Sequence, residues 1–337
     1  MWRINKLKIQ LVQAAACVML AAFALCAATY AWYVANNTVS AKTSTISATT
    51  NGFILQIATL DEGAQHGGND KSLAAFSDGA TLSPASSNDL SDWYICQGWN
   101  NQGLITSYVQ PIFEAGPNAK PGNYKVGNDD YYAFIRSDYI VYTINETGLA
   151  DVYLDASDGA PIAVTAKNAD GTVGSASETI TGSMRVAITT QEVGSDGESA
   201  TGPESLRVVY ANNDETGQGN DAQGKNGWTA IWKRDGGAVL DYASYRHIFG
   251  GNYIDVTLDS NGAKTSGKNW VATKDGDAYK VPDNSEAVAA CVGYDGIVVH
   301  VYIWMEGTDS DCVNGKSIEN DPCTYDVTVK LAGIAAA

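Results

Sequence analysis

Short strand-like segments recur along this chain after Trp32, and no stretch after that residue shows a sustained helical period. Residues 131–144 form the strongest of them, because residues 139–144 are apolar on both faces, as expected of a strand that is covered on both sides. Residues 297–305 are nearly all apolar, and residues 325–331 alternate apolar with polar side chains. Turns rich in Asn, Gly and Asp separate these segments. The pattern predicts an all-β fold, an antiparallel β-sandwich of the jelly-roll type.

A basic and then strongly apolar segment precedes the strand region. Lys6 and Lys8 are the last charged residues before Lys42, and residues 14–28 are uninterrupted apolar sequence. This order of features is typical of a secretory signal segment, and small residues at its end predict cleavage between Ala31 and Trp32. The alternative is an uncleaved membrane anchor, because the run extended to residue 35 reaches the roughly 20 residues that span a bilayer. Both interpretations predict an extracellular or cell-surface protein, which stays tethered to the membrane if the signal is uncleaved.

The remainder of the chain, residues 32–337, is expected to form one elaborated β-sandwich domain, because it contains no internal repeat and no Pro-rich linker. Two long polar stretches, at about 61–103 and 212–227, are predicted to be loops. Loops of this length are uncommon unless they are functional or partly structured.

The first predicted strand covers residues 39–48, where small and β-branched residues alternate. The next turn signal is the dipeptide Asn51-Gly52, which is a strong hairpin cue, and residues 53–57 follow it as the expected return strand. The local pattern therefore predicts that the first strand pairs with its neighbour in sequence.

The net charge is −17, and residues 1–31 carry only the positive charges of Arg3, Lys6 and Lys8, so the exported part is more acidic still. Nucleic acids and anionic lipids require basic surfaces. We therefore expect no nucleic-acid partner.

Four cysteines lie beyond the signal segment, and an even number in an exported chain favours disulfides, with three connectivities open. Cys312 and Cys323 are closest in sequence and would close a short acidic loop, which leaves Cys96 to pair with Cys291. No Cys-x-x-Cys pair points to a metal site instead.

No catalytic pattern is present in the sequence, and we expect no enzyme activity. The three histidines, His66, His247 and His300, are far apart and form no His-Glu-x-x-His motif. No Gly-x-Ser-x-Gly nucleophile elbow occurs. His300 lies inside an apolar strand, where a histidine with satisfied hydrogen bonds in the core or at an edge is the better interpretation.

Calcium is the one candidate cofactor. Asp309, Asp311 and Asn314 are weak candidate ligands, because their spacing is one residue out of step with an EF-hand loop. Solvated Asp and Asn turns are the better interpretation of the same residues, so we expect no cofactor. An aromatic patch around Trp93, Trp99 and Tyr108 is a candidate surface for binding glycan or protein.

The junction Thr-Tyr-Ala-Trp-Tyr at residues 29–33, with the Thr-rich segment that follows it, resembles the signal junction of the TasA/camelysin family of Gram-positive surface and biofilm-matrix proteins. Residues 304–312 also resemble a motif of uncharacterised exported Gram-positive proteins that share this junction. The resemblance implies an extracellular jelly-roll protein that assembles into fibres by donating an amino-terminal strand to a neighbouring subunit. The candidate donor positions are Val39, Ala41, Thr43, Thr45, Ile46 and Ala48.

The partners that this resemblance implies are other copies of the chain or related surface subunits, together with the cell envelope. Asn51-Gly52 favours local pairing of the first strand, whereas the resemblance favours its donation. A monomeric surface adhesin, or a glycan- or protein-binding module, is the alternative function. Camelysin-type proteins have also been regarded as metallopeptidases, but no metal-ligand spacing in this chain supports that activity.

Overall fold

The computed structural model describes residues 39–50, 55–64, 66, 73–76, 80–87, 90–99, 105–116, 119–167, 172–173, 183–211, 248–249, 255–258, 264–266, 270–276, 278–283, 285–307, 312 and 324–336. These residues form β-strands and their connections, with one short 3-10 helix at Leu60–Glu62. The predicted all-β class is therefore confirmed. Residues 39–337 make up one compact unit.

Two large sheets build the sandwich, and their strands are numbered here in chain order. The first sheet has eleven strands: β1 (Val39–Thr50), β3 (Leu73–Phe76), β4 (Ala80–Leu82), β8 (Asn123–Val126), β9 (Asp129–Tyr132), β11 (Ala150–Asp155), β12 (Ile162–Lys167), β18 (Val271–Asp275), β19 (Ala278–Lys280), β20 (Ala289–Val292) and β22 (Thr324–Ala335). The second sheet has eight: β2 (Leu55–Thr59), β10 (Ile135–Thr143), β13 (Met184–Val193), β14 (Ala200–Ala211), β15 (Ile248–Phe249), β16 (Asp255–Leu258), β17 (Lys264–Ser266) and β21 (Ile297–Met305). A third sheet contains β5 (Ala85–Ser86), β6 (Tyr94–Trp99) and β7 (Ile105–Val109).

The main hydrophobic core lies between the two large sheets. Alternate residues of β22 are buried there, from Tyr325 to Leu331, against apolar residues of β10 such as Tyr139 and Val141. This alternation is the one that the sequence shows, because a strand with one covered face places every second side chain in the core. Burial of this apolar surface is the main stabilising contribution to the sandwich.

A second cluster covers one end of the outer face of the second sheet. The ring of Trp93 stacks on Phe134 with centroids 4.3 Å apart and meets Trp304 edge-on at 5.5 Å. Trp93 is only 3% exposed. It therefore belongs to the core, and the predicted aromatic binding patch is not centred on it.

The prediction of a long irregular loop at about 61–103 is wrong, because this stretch contains β3, β4, β5 and β6. Three of these strands have only two to four residues. Segments that short show too little alternation to be recognised from sequence. The other predicted loop, at 212–227, lies outside the described residues.

The predicted hairpin at Asn51-Gly52 is also wrong. β1 lies in the first sheet, whereas β2 lies in the second sheet and pairs with β10. Residues 51–54 join the two, and four extended residues span about 13 Å, enough to cross the roughly 10 Å between packed sheets. Long-range pairing has overridden the local turn signal.

Among the described residues, no helix has the length and apolar character needed to cross a bilayer. The predicted signal or anchor segment, with its cleavage site at Ala31 and Trp32, lies outside those residues.

Candidate functional site

The first strand occupies the middle of the first sheet. On one side β1 pairs in parallel with β22, from Ser40 opposite Thr324 to Thr50 opposite Gly333. On its other side it pairs antiparallel with β3 and β4. Both backbone edges of β1 therefore have partners, and the strand joins two parts of the sheet that would otherwise be separate.

The register places part of β1 beside the core-facing residues of β22. Ser44, Ile46 and Ala48 stand opposite Val327, Val329 and Leu331, and these three residues of β22 are buried. Paired residues of neighbouring strands belong to the same face of a sheet. This stretch of β1 therefore stands at register positions that complete the core face.

The six candidate donor positions all lie in β1, but their partners on the neighbouring strands are not all buried. Ala41, Ile46 and Ala48 stand opposite buried residues of β22, and Val39 stands opposite the buried Leu82 of β4. Thr43 and Thr45 stand opposite Asp326 and Thr328, which are half-buried. The ladder shifts its register between Ala41 and Thr43. After this shift Ser44, which is not among the candidate positions, stands opposite Val327, because a bulge reverses the alternation that the sequence pattern assumes.

The pairing of β1 is entirely non-local in the described chain. Its longest partner, β22, is the last strand, and β1 makes no ladder with β2, the strand that follows it. The predicted donor strand thus fills a place in its own sheet, next to a strand from the opposite end of the chain.

The cysteine pairings receive no support. The thiol of Cys291 is free and exposed. The side chain of Cys96 lies outside the described residues, so nothing in the structure supports a Cys96–Cys291 bridge. Cys312 is buried, and its proposed partner Cys323 lies outside the described residues. The Cys312–Cys323 bridge therefore stays a prediction.

The weak calcium candidates, Asp309, Asp311 and Asn314, also lie outside the described residues. Within the part of the chain that is described, no group of three His, Cys, Asp or Glu side chains is arranged to hold a metal ion. A hollow of about 650 Å³ between turns at one end of the second sheet is lined by carboxylates, namely Glu62, Asp196, Glu198 and Asp295. It is a negatively charged depression without a metal-binding geometry.

A second polar feature crosses the outer face of the second sheet. We call it the polar row, and it comprises Arg136 and Asp138 of β10, Thr189 and Gln191 of β13, Glu204 of β14, and His300 and Tyr302 of β21. The register brings it together, because Asp138, His300 and Thr189 stand opposite one another on adjacent strands. Four strands from distant parts of the sequence supply these residues, so no sequence motif could have predicted it.

The polar row is closely bonded around Asp138. The Nδ1 atom of His300 lies 2.7 Å from Oδ1 of Asp138, and Nη2 of Arg136 donates to Oδ2 at 3.0 Å. The Nε atom of Arg136 lies 2.8 Å from Oδ1, as an ion pair without good hydrogen-bond alignment. His300 is 1% exposed, which confirms the interpretation of a buried, satisfied histidine.

Burial and neighbouring charges shift the pKa values of two groups in the polar row. Burial works against the charged form of Asp138, but the hydrogen bond from His300 and the positive charge of Arg136 outweigh it and lower the pKa of Asp138. Burial, followed by the negative charge of Glu204, raises the pKa of Tyr302. The Tyr302 hydroxyl donates to Glu204 at 2.9 Å, and the Thr189 hydroxyl donates to the same carboxylate oxygen.

The polar row contains two parts of a catalytic triad but lacks the third. An Asp-His pair could orient a general base, yet the other ring nitrogen of His300 faces the amide oxygen of Gln191 at 3.0 Å. The amide oxygen of Gln191 cannot serve as the nucleophile, because it carries no proton that the histidine could remove. The arrangement is therefore that of a structural network, and β1 is the better candidate for function.

No family model, no curated protein and no solved structure matches this chain. The resemblance to the TasA/camelysin family stays a prediction.

Proposed function

We propose that this chain is an exported structural protein of the cell surface or biofilm matrix, which assembles into fibres when β1 of one copy completes the first sheet of the next. The observation that carries the proposal is the position of β1. It is the first strand after the predicted cleavage site, it stands between β22 and the pair β3 and β4, and it makes no ladder with β2.

Exchange of β1 between copies is physically reasonable because the ladder is made of backbone hydrogen bonds. The β1 of a second copy would offer the same donors, acceptors and register positions to β22 as the chain's own β1 does. Exchange of an identical element therefore changes few contacts, and the conformation of the connecting segment and the protein concentration decide which form is populated. In this chain the connecting segment is residues 51–54, which include the Asn51-Gly52 pair.

The exchange would also produce an open chain of subunits. A copy that gives its β1 away has an unfilled place between β22 and β3, which only another β1 can fill. The contact is therefore head-to-tail, and head-to-tail contacts that do not close form filaments. This gives the predicted partner, another copy of the chain or a related surface subunit.

A chain terminator tests this proposal. Residues 32–337 are expected to form filaments visible by electron microscopy, and the chain without residues 32–50 is expected to accept a β1 but to offer none. When this truncated chain makes up one part in ten of the mixture, it should end growing filaments and shorten them severalfold. The matched control is the same amount of a truncated chain that has been given a synthetic peptide of residues 39–50 beforehand, which should have no effect. Filaments that keep their length with the terminator would contradict strand exchange.

A monomeric surface adhesin or binding module is the second candidate, and one observation favours it: β1 already completes its own sheet within a single chain. Light scattering of residues 32–337 separates the two functions. A single species of monomer mass across a hundredfold range of concentration would support the module and contradict the fibre. The camelysin-like metallopeptidase is a weaker candidate, which casein hydrolysis abolished by a chelator would support.

A further inference from the structure

The place of β1 in the first sheet is uniform on the side of β22. Val327 and Val329 of β22 are both buried. Ser44 of β1 stands opposite the first of them, and Ile46 stands opposite the second. Because the two partners on β22 are the same residue type, a difference in the room available at these two positions has to come from β3.

On the other side of β1, the residues of β3 differ strongly in size. Phe76 stands opposite Ser44, and Ala74 stands opposite Ile46. Paired residues of neighbouring strands belong to the same face of a sheet, so these positions of β3 belong to the core face as well. The chain thus has a small residue in β1 where β3 has a large one, and a large residue in β1 where β3 has a small one.

The opposite face of β1 carries no such requirement. Thr45 and Ser47 stand opposite Thr328 and Lys330 of β22, and these two residues are half-buried. The core between the two sheets is filled to a constant density, whereas a face in contact with water is not. The match of residue sizes therefore matters on the core face.

We propose that this size match selects the partner in strand exchange, so that the place between β22 and β3 accepts β1 of a second copy of this chain. The inference rests on the proposed function, because it concerns which strand fills that same place. The backbone ladder gives no such choice, since every strand offers the same donors and acceptors. A related surface subunit is accepted only if its strand repeats the order of a small and then a large residue at these two positions.

The physical basis of the choice is the cost of a mismatch in a packed core. Two large residues at paired positions of β1 and β3 would overfill the space, and two small ones would leave a cavity. A strand whose large residue stands at position 44 would create both defects at once, because Phe76 stands opposite that position and Ala74 stands opposite position 46.

The test exchanges the two residues within each strand. The donor swap is Ser44→Ile with Ile46→Ser, and the acceptor swap is Ala74→Phe with Phe76→Ala. Each swap keeps the composition of the chain and breaks the size match. The chain that carries both swaps restores the match within itself but is mismatched with the parent chain in both directions.

Co-assembly of residues 32–337 labelled with two dyes measures partner choice by fluorescence microscopy. Parent chains of two colours should mix evenly, whereas the doubly swapped chain should form filaments of its own and enter parent filaments about tenfold less often. The matched control, Thr45→Ser with Ser47→Thr, makes the same kind of exchange on the other face of β1 and should mix like the parent. Even mixing of the doubly swapped chain with the parent would overturn the inference and leave strand exchange intact.

Denaturant titration separates failure of this inference from failure of the proposed function. If residues 32–337 form no filaments, the proposed function is contradicted, and the size match is still measured within the chain's own first sheet. Each swap alone should lower the denaturant midpoint, and the second swap should recover about half of the loss or more, as expected of positions that are coupled. If a single swap does not fold, a folded double swap is the supporting result. Losses that add, or a double swap that also fails to fold, would overturn the size match.

Discussion

The first strand and the polar row both join strands that are distant in sequence, but they do so with different groups. β1 is held by backbone ladders to β22, β3 and β4, and any chain with the same alternation could make those bonds. The polar row is held by polar and charged side chains on four particular strands, with contacts of 2.7 to 3.0 Å around Asp138. A backbone ladder can be exchanged between copies, whereas a network of matched charges fixes which strands are neighbours. Under the proposed function, the molecule would thus combine a first sheet whose β1 can be exchanged with a second sheet whose strand neighbours are fixed.

The largest effect is expected from breaking the β1 ladder. Ile46→Pro removes a backbone donor from a strand paired on both sides, and the ladder partner that it leaves unsatisfied alone costs about 1 to 3 kcal/mol. Filaments should disappear, and the free energy of unfolding should fall by at least that amount in denaturant titration. Glu146→Pro is the matched control, because Glu146 is exposed in a turn closed by the Gly148 N–H and the Asn145 carbonyl oxygen. Equal loss in both variants would show that β1 has no special role.

The next effect concerns the polar row. Asp138→Ala leaves the guanidinium of Arg136 and the ring of His300 without their carboxylate, and breaking a largely buried ion pair costs about 3 kcal/mol. Denaturant titration should show that loss, while filament formation should survive under conditions where the variant is still folded. Loss of filaments by a folded Asp138→Ala would contradict the separation of the two regions.

Acid should reproduce part of that loss. The folded-state pKa of Asp138 is below its ordinary value of 3.8, because the contacts with His300 and Arg136 outweigh burial. The contribution of Asp138 is therefore fully present above about pH 4 and is lost as pH falls through the lower, folded pKa. The difference in denaturant midpoint between the parent chain and Asp138→Asn should narrow between pH 4 and pH 2. A constant difference over that interval would mean that the carboxylate charge is not what stabilises the row.

The smallest effect is expected at the edge of the row. Tyr302→Phe removes the hydroxyl that donates to Glu204 at 2.9 Å and should cost about 1 kcal/mol. Because Glu204 is exposed, water can replace the lost donor. A cost near 3 kcal/mol would show that Glu204 is as tightly coupled to the polar row as Asp138.

The sequence predicted those parts of the fold that depend on local periodicity. The all-β class and the alternate burial of Tyr325 to Leu331 follow from a period of two that is visible in the sequence. The partner of β1 could not be predicted, since a parallel ladder to the last strand has no local signal and Asn51-Gly52 pointed to a hairpin. The register shift after Ala41 was equally invisible in the sequence.

The polar row shows the same limit in side-chain chemistry. The apolar surroundings of His300 correctly predicted a buried and satisfied ring. Its partners Asp138 and Gln191 could not be identified, because they lie 162 and 109 residues away along the chain. Pairs at such separations are brought together only by the order of strands in the sheet.

The most direct test of strand exchange uses a disulfide between register partners. Thr45 of β1 stands opposite Thr328 of β22, and cysteines at neighbouring positions of paired strands are within bonding reach. The variant Thr45→Cys, Thr328→Cys is made in a Cys291→Ser background, assembled, oxidised and run on a denaturing gel without reductant. Strand exchange predicts a ladder of covalent oligomers that collapses to monomer on reduction, and each variant with only one of the two new cysteines should give no such ladder. Oxidation that yields only an internally cross-linked monomer from assembled material would contradict the account.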